Sequence, residues 1–184
     1  MCISTAGQIV YGLVMLACLV LTAVALFTPG WTQVKGAPKA DVFSKSEGIM
    51  PWSCAKRWKN SDCSEWWKDT PSWQHIVIVC MWMALIIEAF CLAWNLIALL
   101  SCCLKSCLLH PIAPASIVVT ILLLISVLVY GINGKEFVIY STNPHIGEPG
   151  QLGYSFALAC VACALAAADS ILSFFIICCA QICC

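Results

Sequence analysis

Residues 31–73 read WTQVKGAPKADVFSKSEGIMPWSCAKRWKNSDCSEWWKDTPSW, a polar island in a chain that is 62% hydrophobic and 10% charged. The island holds seven of the nine Lys and Arg, five of the nine Asp and Glu, and six of the eight Trp. It also carries Cys54 and Cys63, eight residues apart. Soluble domains are about 45–50% apolar and about 25% charged. A chain of 184 residues this apolar could not hide its surface from water, so the flanking sequence is read with a bilayer as solvent.

Four apolar runs fit that solvent, at about 9–27, 76–101, 115–132 and 153–179. The first, Ile9 to Phe27, is free of charge and would extend roughly 28 Å as a helix, enough for the hydrocarbon core. A cleaved signal peptide is the competing reading, since Ala23-Val24-Ala25 resembles a cleavage site, but no Lys or Arg precedes the run. Thr28-Pro29-Gly30 should stop the helix, because proline cannot continue the backbone ladder. The expected architecture is therefore a membrane α-helical, four-transmembrane-helix bundle, one domain over 1–184. Its two polar loops, about 28–75 and 133–152, share one side, and both termini share the other.

Which side is outside is contested within the sequence. The positive-inside rule would put the basic island in the cytoplasm. Against it, eight of the fifteen cysteines fall at the opposite face: Cys2, Cys102, Cys103, Cys107, Cys178, Cys179, Cys183 and Cys184. Such juxtamembrane cysteines are typical cytoplasmic S-acylation sites, and Cys102, Cys103, Cys107, Cys178 and Cys179 are the expected ones. The island's bases are nearly balanced by its acids, so the cysteines carry more weight. This places the termini in the cytoplasm and the island outside the cell.

In an oxidising compartment a Cys54–Cys63 disulfide would contribute about 2.5–3 kcal/mol in the chain-entropy account, and a small polar cap needs such a staple. Two free thiols are the other reading of the pair. With the bridge, Gly48–Cys54 and Cys63–Trp67 would lie side by side as strands of a small antiparallel sheet.

Trp31 just past the first run, then Gly48-Ile49, Trp52, Cys54 and Cys63, resembles the W…GLW…C…C signature of the claudin superfamily, which includes the peripheral myelin and epithelial membrane proteins and auxiliary subunits of calcium channels and glutamate receptors. The resemblance extends over the whole chain in its four spans, large first loop and small second loop. It departs in two places. Met50 and Pro51 separate Gly48-Ile49 from Trp52, and Trp73, Gln74 and His75 stand where a basic residue usually precedes the second span. With these departures the chain resembles a divergent, invertebrate-type claudin-like protein rather than a standard vertebrate claudin.

The resemblance implies a protein of cell–cell contacts that forms or regulates a paracellular barrier or pore. Its partners would be the bilayer and related chains in the same and opposing membranes. The alternative it implies is an auxiliary subunit docking laterally on an ion channel or receptor. Phe137, Tyr140, Asn143 and Pro144 stand where claudins carry a contact segment, with stretched spacing. A strand at Glu136–Tyr140, completing the cap's sheet, is the reading preferred for the residues before Ser141. Glu65 is placed like the acid of cation-selective claudins, where carboxylates in a narrow wet passage attract cations. Glu65 is also interleaved with Lys56, Arg57, Lys59 and Lys68, which fits an ordinary solvated surface better. Trp66 and Trp67, with Trp52, Trp58 and Trp73, are expected partly at the headgroup level and partly on a partner surface.

Glu88 and Asp169 fall inside apolar runs, with no Lys or Arg in any span to pair with them. Intramembrane acids are functional candidates by default. Either a proton neutralises each, with Asn95, Ser126 or Ser170 as hydrogen-bond partner, or they face a polar partner in a larger complex. Cys160 and Cys163, among alanines 157, 159, 162, 164 and 166–168, read as a small-residue packing face rather than a metal site. No nucleophile–base set, phosphate loop or metal-ligand cluster points to an enzyme or a cofactor. Zero net charge gives no case for nucleic acid, and His75, His110 and His145 read as solvated.

Overall fold

The computed structural model describes residues 2–33, 49, 67–68, 70–100, 111–141 and 151–182, with side chains at 5–31, 49, 67–68, 70–100, 111–134 and 152–178. Four long helices dominate: α1 Cys2–Phe27, α2 Ser72–Leu100, α3 Ile112–Ser141 and α4 Tyr154–Ile182. Each contains a segment long and apolar enough to cross a membrane, namely Thr5–Phe27, Ser72–Leu100, Ile112–Gly134 and Tyr154–Cys178. In lipid a helix satisfies its backbone groups within itself, so an unbroken apolar run has no cheaper conformation.

The stops and starts have local causes. Backbone N–H and side-chain Oγ1 of Thr28 both donate to the Val24 carbonyl, at 3.0 and 2.6 Å, and Pro29 follows. α2 begins just after Pro71, whose carbonyl accepts from Gln74 N at 2.9 Å. Pro114 lies in the first turn of α3, where no intrahelical N–H is lost.

The helices overrun the apolar runs that announced them. The largest correction is at Glu136–Tyr140, expected as a strand: the chain is helical there, as part of α3. Between Gly134 and Ser141 no proline or turn former interrupts the ladder, and extending an existing helix needs no new nucleus. Of the sheet, a two-residue ladder is present. β1 (Thr32–Gln33) pairs antiparallel with β2 (Gln151–Leu152), Thr32 opposite Leu152 and Gln33 opposite Gln151. The expected strands Gly48–Cys54 and Cys63–Trp67 lie outside the described residues, save Ile49 and Trp67.

α1 packs against α2 and α4, and α3 packs against the same two, so the helices form a four-membered ring. The buried positions show how. On α1 they are Gln8, Tyr11, Met15, Cys18, Thr22 and Ala25; on α4 Ser155, Ala159, Ala162, Ala166, Asp169, Ser173 and Ile176. α2 buries Val77, Met81, Ala84, Glu88, Cys91, Asn95 and Ala98; α3 buries Ile112, Ser116, Val119, Leu123, Ser126 and Tyr130. Apart from Leu26 and Ile78, buried beside Ala25 and Val77, the steps alternate between three and four residues, a 3.5-residue period that holds one seam against its neighbours when helices wrap left-handedly.

The seams are smaller and more polar than the outer faces, where Leu13, Val20, Ile86, Phe90, Phe174 and Phe175 stand exposed to what would be lipid. Lipid removes the hydrophobic reward for burying large apolar groups, and close approach through small residues takes its place. Of the alanines on α4, 159, 162 and 166 face inward, while 157, 164 and 168 face outward.

Ala162→Leu should therefore lower stability by about 1–3 kcal/mol, the range for overpacked interiors. Ala164→Leu, on the outer face, should change it by less than about 0.5 kcal/mol. Unfolding in bicelles or nanodiscs checks both.

Candidate functional site

At the end of the bundle where the loops emerge, Trp31 is the hub. It is fully buried, and its indole N–H donates to the Ala25 carbonyl at 2.7 Å. Tyr130 of α3 meets it edge-on at 4.6 Å between ring centres, and Phe156 of α4 at 6.1 Å. Trp73, at the start of α2, meets Tyr130 at 5.7 Å. One aromatic cluster thus joins all four helices, each pair arranged edge-to-face or tilted as ring quadrupoles prefer.

The backbone beside Trp31 is zipped to the start of α4. Gly153 N donates to the Trp31 carbonyl at 2.8 Å and Ser155 N to the Gly30 carbonyl at 3.0 Å. Thr28 Oγ1 and Ser155 Oγ share a hydrogen bond of 2.7 Å. Gly30 is required by proximity: a Cβ there would collide with the Tyr154 ring. The roots of the two loops are therefore one structural unit. Ile49 joins it from the first loop, 1% exposed, in the same apolar cluster as Trp31. Its carbonyl accepts from Gln74 Nε2 at 3.1 Å.

Deeper in the bundle, Glu88 Oε1 accepts from Cys18 Sγ at 3.1 Å and from Thr22 Oγ1 at 3.0 Å. Both donors come from α1. None of the three residues expected to serve the acids does so. Asn95 Nδ2 donates to the Gln8 backbone carbonyl, Ser126 Oγ to Leu122, and Ser170 Oγ to Ala166. Glu88 Oε2 and both oxygens of Asp169 have no partner among the described residues. Both acids are 0% exposed and sit on inward seams. They face the bundle interior, not a neighbour across lipid. This corrects the idea that lateral docking would satisfy them.

The profile of a family described as "Tight junction protein, Claudin-like" matches residues 1–184. The chain belongs to this claudin-like family. Comparison with curated proteins and with solved structures returns no match. The family is one of structural junction proteins, and among the described residues no group of three His, Cys, Asp or Glu could hold a metal.

Of the claudin-like signature, Trp31 and Ile49 come together in the loop-root cluster. Gly48, Trp52, Cys54 and Cys63 lie outside the described residues, as do Glu65, Trp66, Asn143, Pro144, Cys102, Cys103 and Cys107. Phe137 and Tyr140 lie on the last turns of α3, and Cys179 on the last turn of α4, all with side chains outside the description. Cys178 is a half-buried free thiol. Trp67 is 43% exposed and stacks on His75 at 4.1 Å, and its carbonyl pairs with His75 Nε2 at 2.9 Å. His75 is thus a packed residue rather than a purely solvated one.

Sequence reasoning missed Gly30, Tyr154, Ser155, Gln8, Cys18 and Thr22 as site residues. Only Thr28-Pro29-Gly30 carried a signal, read there as a helix stop.

Trp31→Ala should cost about 3–5 kcal/mol of stability, the range for deleting a buried aromatic. Trp31→Phe should cost less, keeping the ring contacts while losing one hydrogen bond worth about 1 kcal/mol. Gly30→Ala should destabilise the chain, and adding Tyr154→Ala should recover part of the loss. Thermal unfolding of the four variants gives the order.

Proposed function

We propose that this claudin-like chain is a cell–cell contact protein of one domain, whose two loops face the extracellular space and build or regulate a paracellular barrier or pore. The observation that carries the reading is the family match, which runs through both loops as well as the four helices. The joined loop roots support it. With Gly153 bonded to Trp31 and Ser155 to Gly30, the roots of the two loops are held side by side. Specificity then lies in loop residues such as Glu65, Trp66, Trp67, Asn143 and Pro144, and no covalent chemistry is involved.

Chains would associate side by side through their outward helix faces and meet related chains on the next cell through the loops. The termini would be cytoplasmic, with S-acylation at Cys102, Cys103, Cys107, Cys178 and Cys179 fixing that end to the membrane surface. A Cys54–Cys63 bridge would staple the first loop. The auxiliary-subunit reading draws on the two intramembrane acids and on the alanine face of α4; of these, Glu88 and Asp169 are enclosed by the bundle.

Expressed alone in non-adherent cells, the protein should gather where two expressing cells touch. Uniform surface staining at such contacts would count against the proposal. On intact, unreduced cells, maleimide should leave Cys54 and Cys63 unlabelled and label both after external reduction. Labelling without reduction would remove the staple.

A further inference from the structure

Away from the loops, near the terminus-side end, residues of all four helices line a partly open pocket of about 10 Å³, counted as room for the centre of a water molecule. Gln8, Asn95 and Ser173 line it, with Tyr11, Ile112 and Ile176. Gln8 and Asn95 are each 1% exposed and Ser173 is 3% exposed. Gln8 Nε2, Gln8 Oε1 and Asn95 Oδ1 have no hydrogen-bond partner among the described residues. Three unpaired, buried polar atoms on side chains that line one pocket demand an account, since each would carry the full desolvation penalty.

We propose that this cavity is a binding site for a single structural water molecule that joins α1, α2 and α4. The groups left free select it. Asn95 Nδ2 is committed to the Gln8 backbone carbonyl at 3.1 Å, the Tyr11 hydroxyl to Ser116 Oγ at 2.9 Å, and the Ser173 hydroxyl proton to the Ser170 carbonyl at 2.8 Å. What remains is one donor group, Gln8 Nε2, with acceptors at Gln8 Oε1, Asn95 Oδ1 and Ser173 Oγ. Water accepts from the first and donates to two of the acceptors, which is about the three bonds a buried water typically makes.

Other occupants fit less well. A cation would meet the Gln8 amide N–H and finds no carboxylate in the lining. An anion would find one donor, and an apolar group would satisfy none of the three. The volume matches the roughly 10–15 Å³ that one water needs. Gly12 is part of the same joint: a Cβ there would stand 2.8 Å from Asn95 Nδ2, so the absence of a side chain lets α1 and α2 approach here.

The test is radiolytic hydroxyl labelling of the whole chain in nanodiscs, in which radicals formed from bound water oxidise the side chains beside it. Ile112 and Ile176 should be labelled several-fold faster than Leu123, which is fully buried elsewhere in the bundle. Equal rates would overturn the proposal. Gln8→Met keeps the shape but removes the amide, so labelling of Ile176 should fall toward that of Leu123 and the unfolding temperature should drop. Ser173→Ala should lower the labelling in the same direction and serves if the first variant does not fold. Undiminished labelling in both variants would mean that bulk water reaches these side chains. A raised unfolding temperature in Gln8→Met would mean the amide was unsatisfied. Stabilisation of the wild type by sodium but not choline would assign the cavity to a cation. Each of these three results refutes the water site.

Discussion

Close approach of four helix seams, richer in small and polar residues than the lipid-facing sides, is the constraint on which the rest of the structure depends. Lipid tails are as apolar as leucine, so burying leucine between helices gains little. Here the seams carry Ala159, Ala162 and Ala166 on α4 and Ala84 and Ala98 on α2, while Phe174, Phe175 and Phe90 point outward. Small seams bring the backbones together: the Cys18 thiol reaches the Ala162 carbonyl at 3.3 Å. The same proximity lets α1 supply both donors to Glu88 and sets Gly12 against the Asn95 amide, where a Cβ would stand 2.8 Å from Nδ2.

The loop roots obey the same constraint at the membrane's edge. Gly30 is bare because Tyr154 lies against it, and that contact sets the distance at which Ser155 N meets the Gly30 carbonyl. Trp31 then fills the space above the four helix ends, and Ile49 brings part of the first loop down onto it. Two residues of the claudin-like signature thus have a mechanical explanation: they fasten the large loop to the bundle.

Much of this was legible in the sequence, and the reason differs by feature. The spans were read from apolar runs, and the end of α1 from Thr28-Pro29-Gly30, because both signals are local. The seams were hidden because hydropathy marks the lipid face more strongly than the interior. Nine alanines or cysteines on α4 looked like one small face, and only some of them turn inward. The donors to Glu88 were out of reach of local reasoning, since Cys18 and Thr22 are 70 and 66 residues away in sequence. Extension of α3 through Glu136–Tyr140 was missed because a stretch with valine, isoleucine and tyrosine reads as strand in isolation, whereas an established helix continues through it.

Enclosure of Glu88 and Asp169 bears on how the chain matures. A carboxyl facing hydrocarbon is costly, and each helix on its own presents its seam to lipid. Until α1 lies beside α2, Glu88 lacks the thiol and hydroxyl that serve it in the finished bundle. The two acids therefore distinguish an incomplete molecule from a finished one. An orphaned or wrongly threaded helix would leave such a carboxyl against hydrocarbon, and packing of the four helices encloses it.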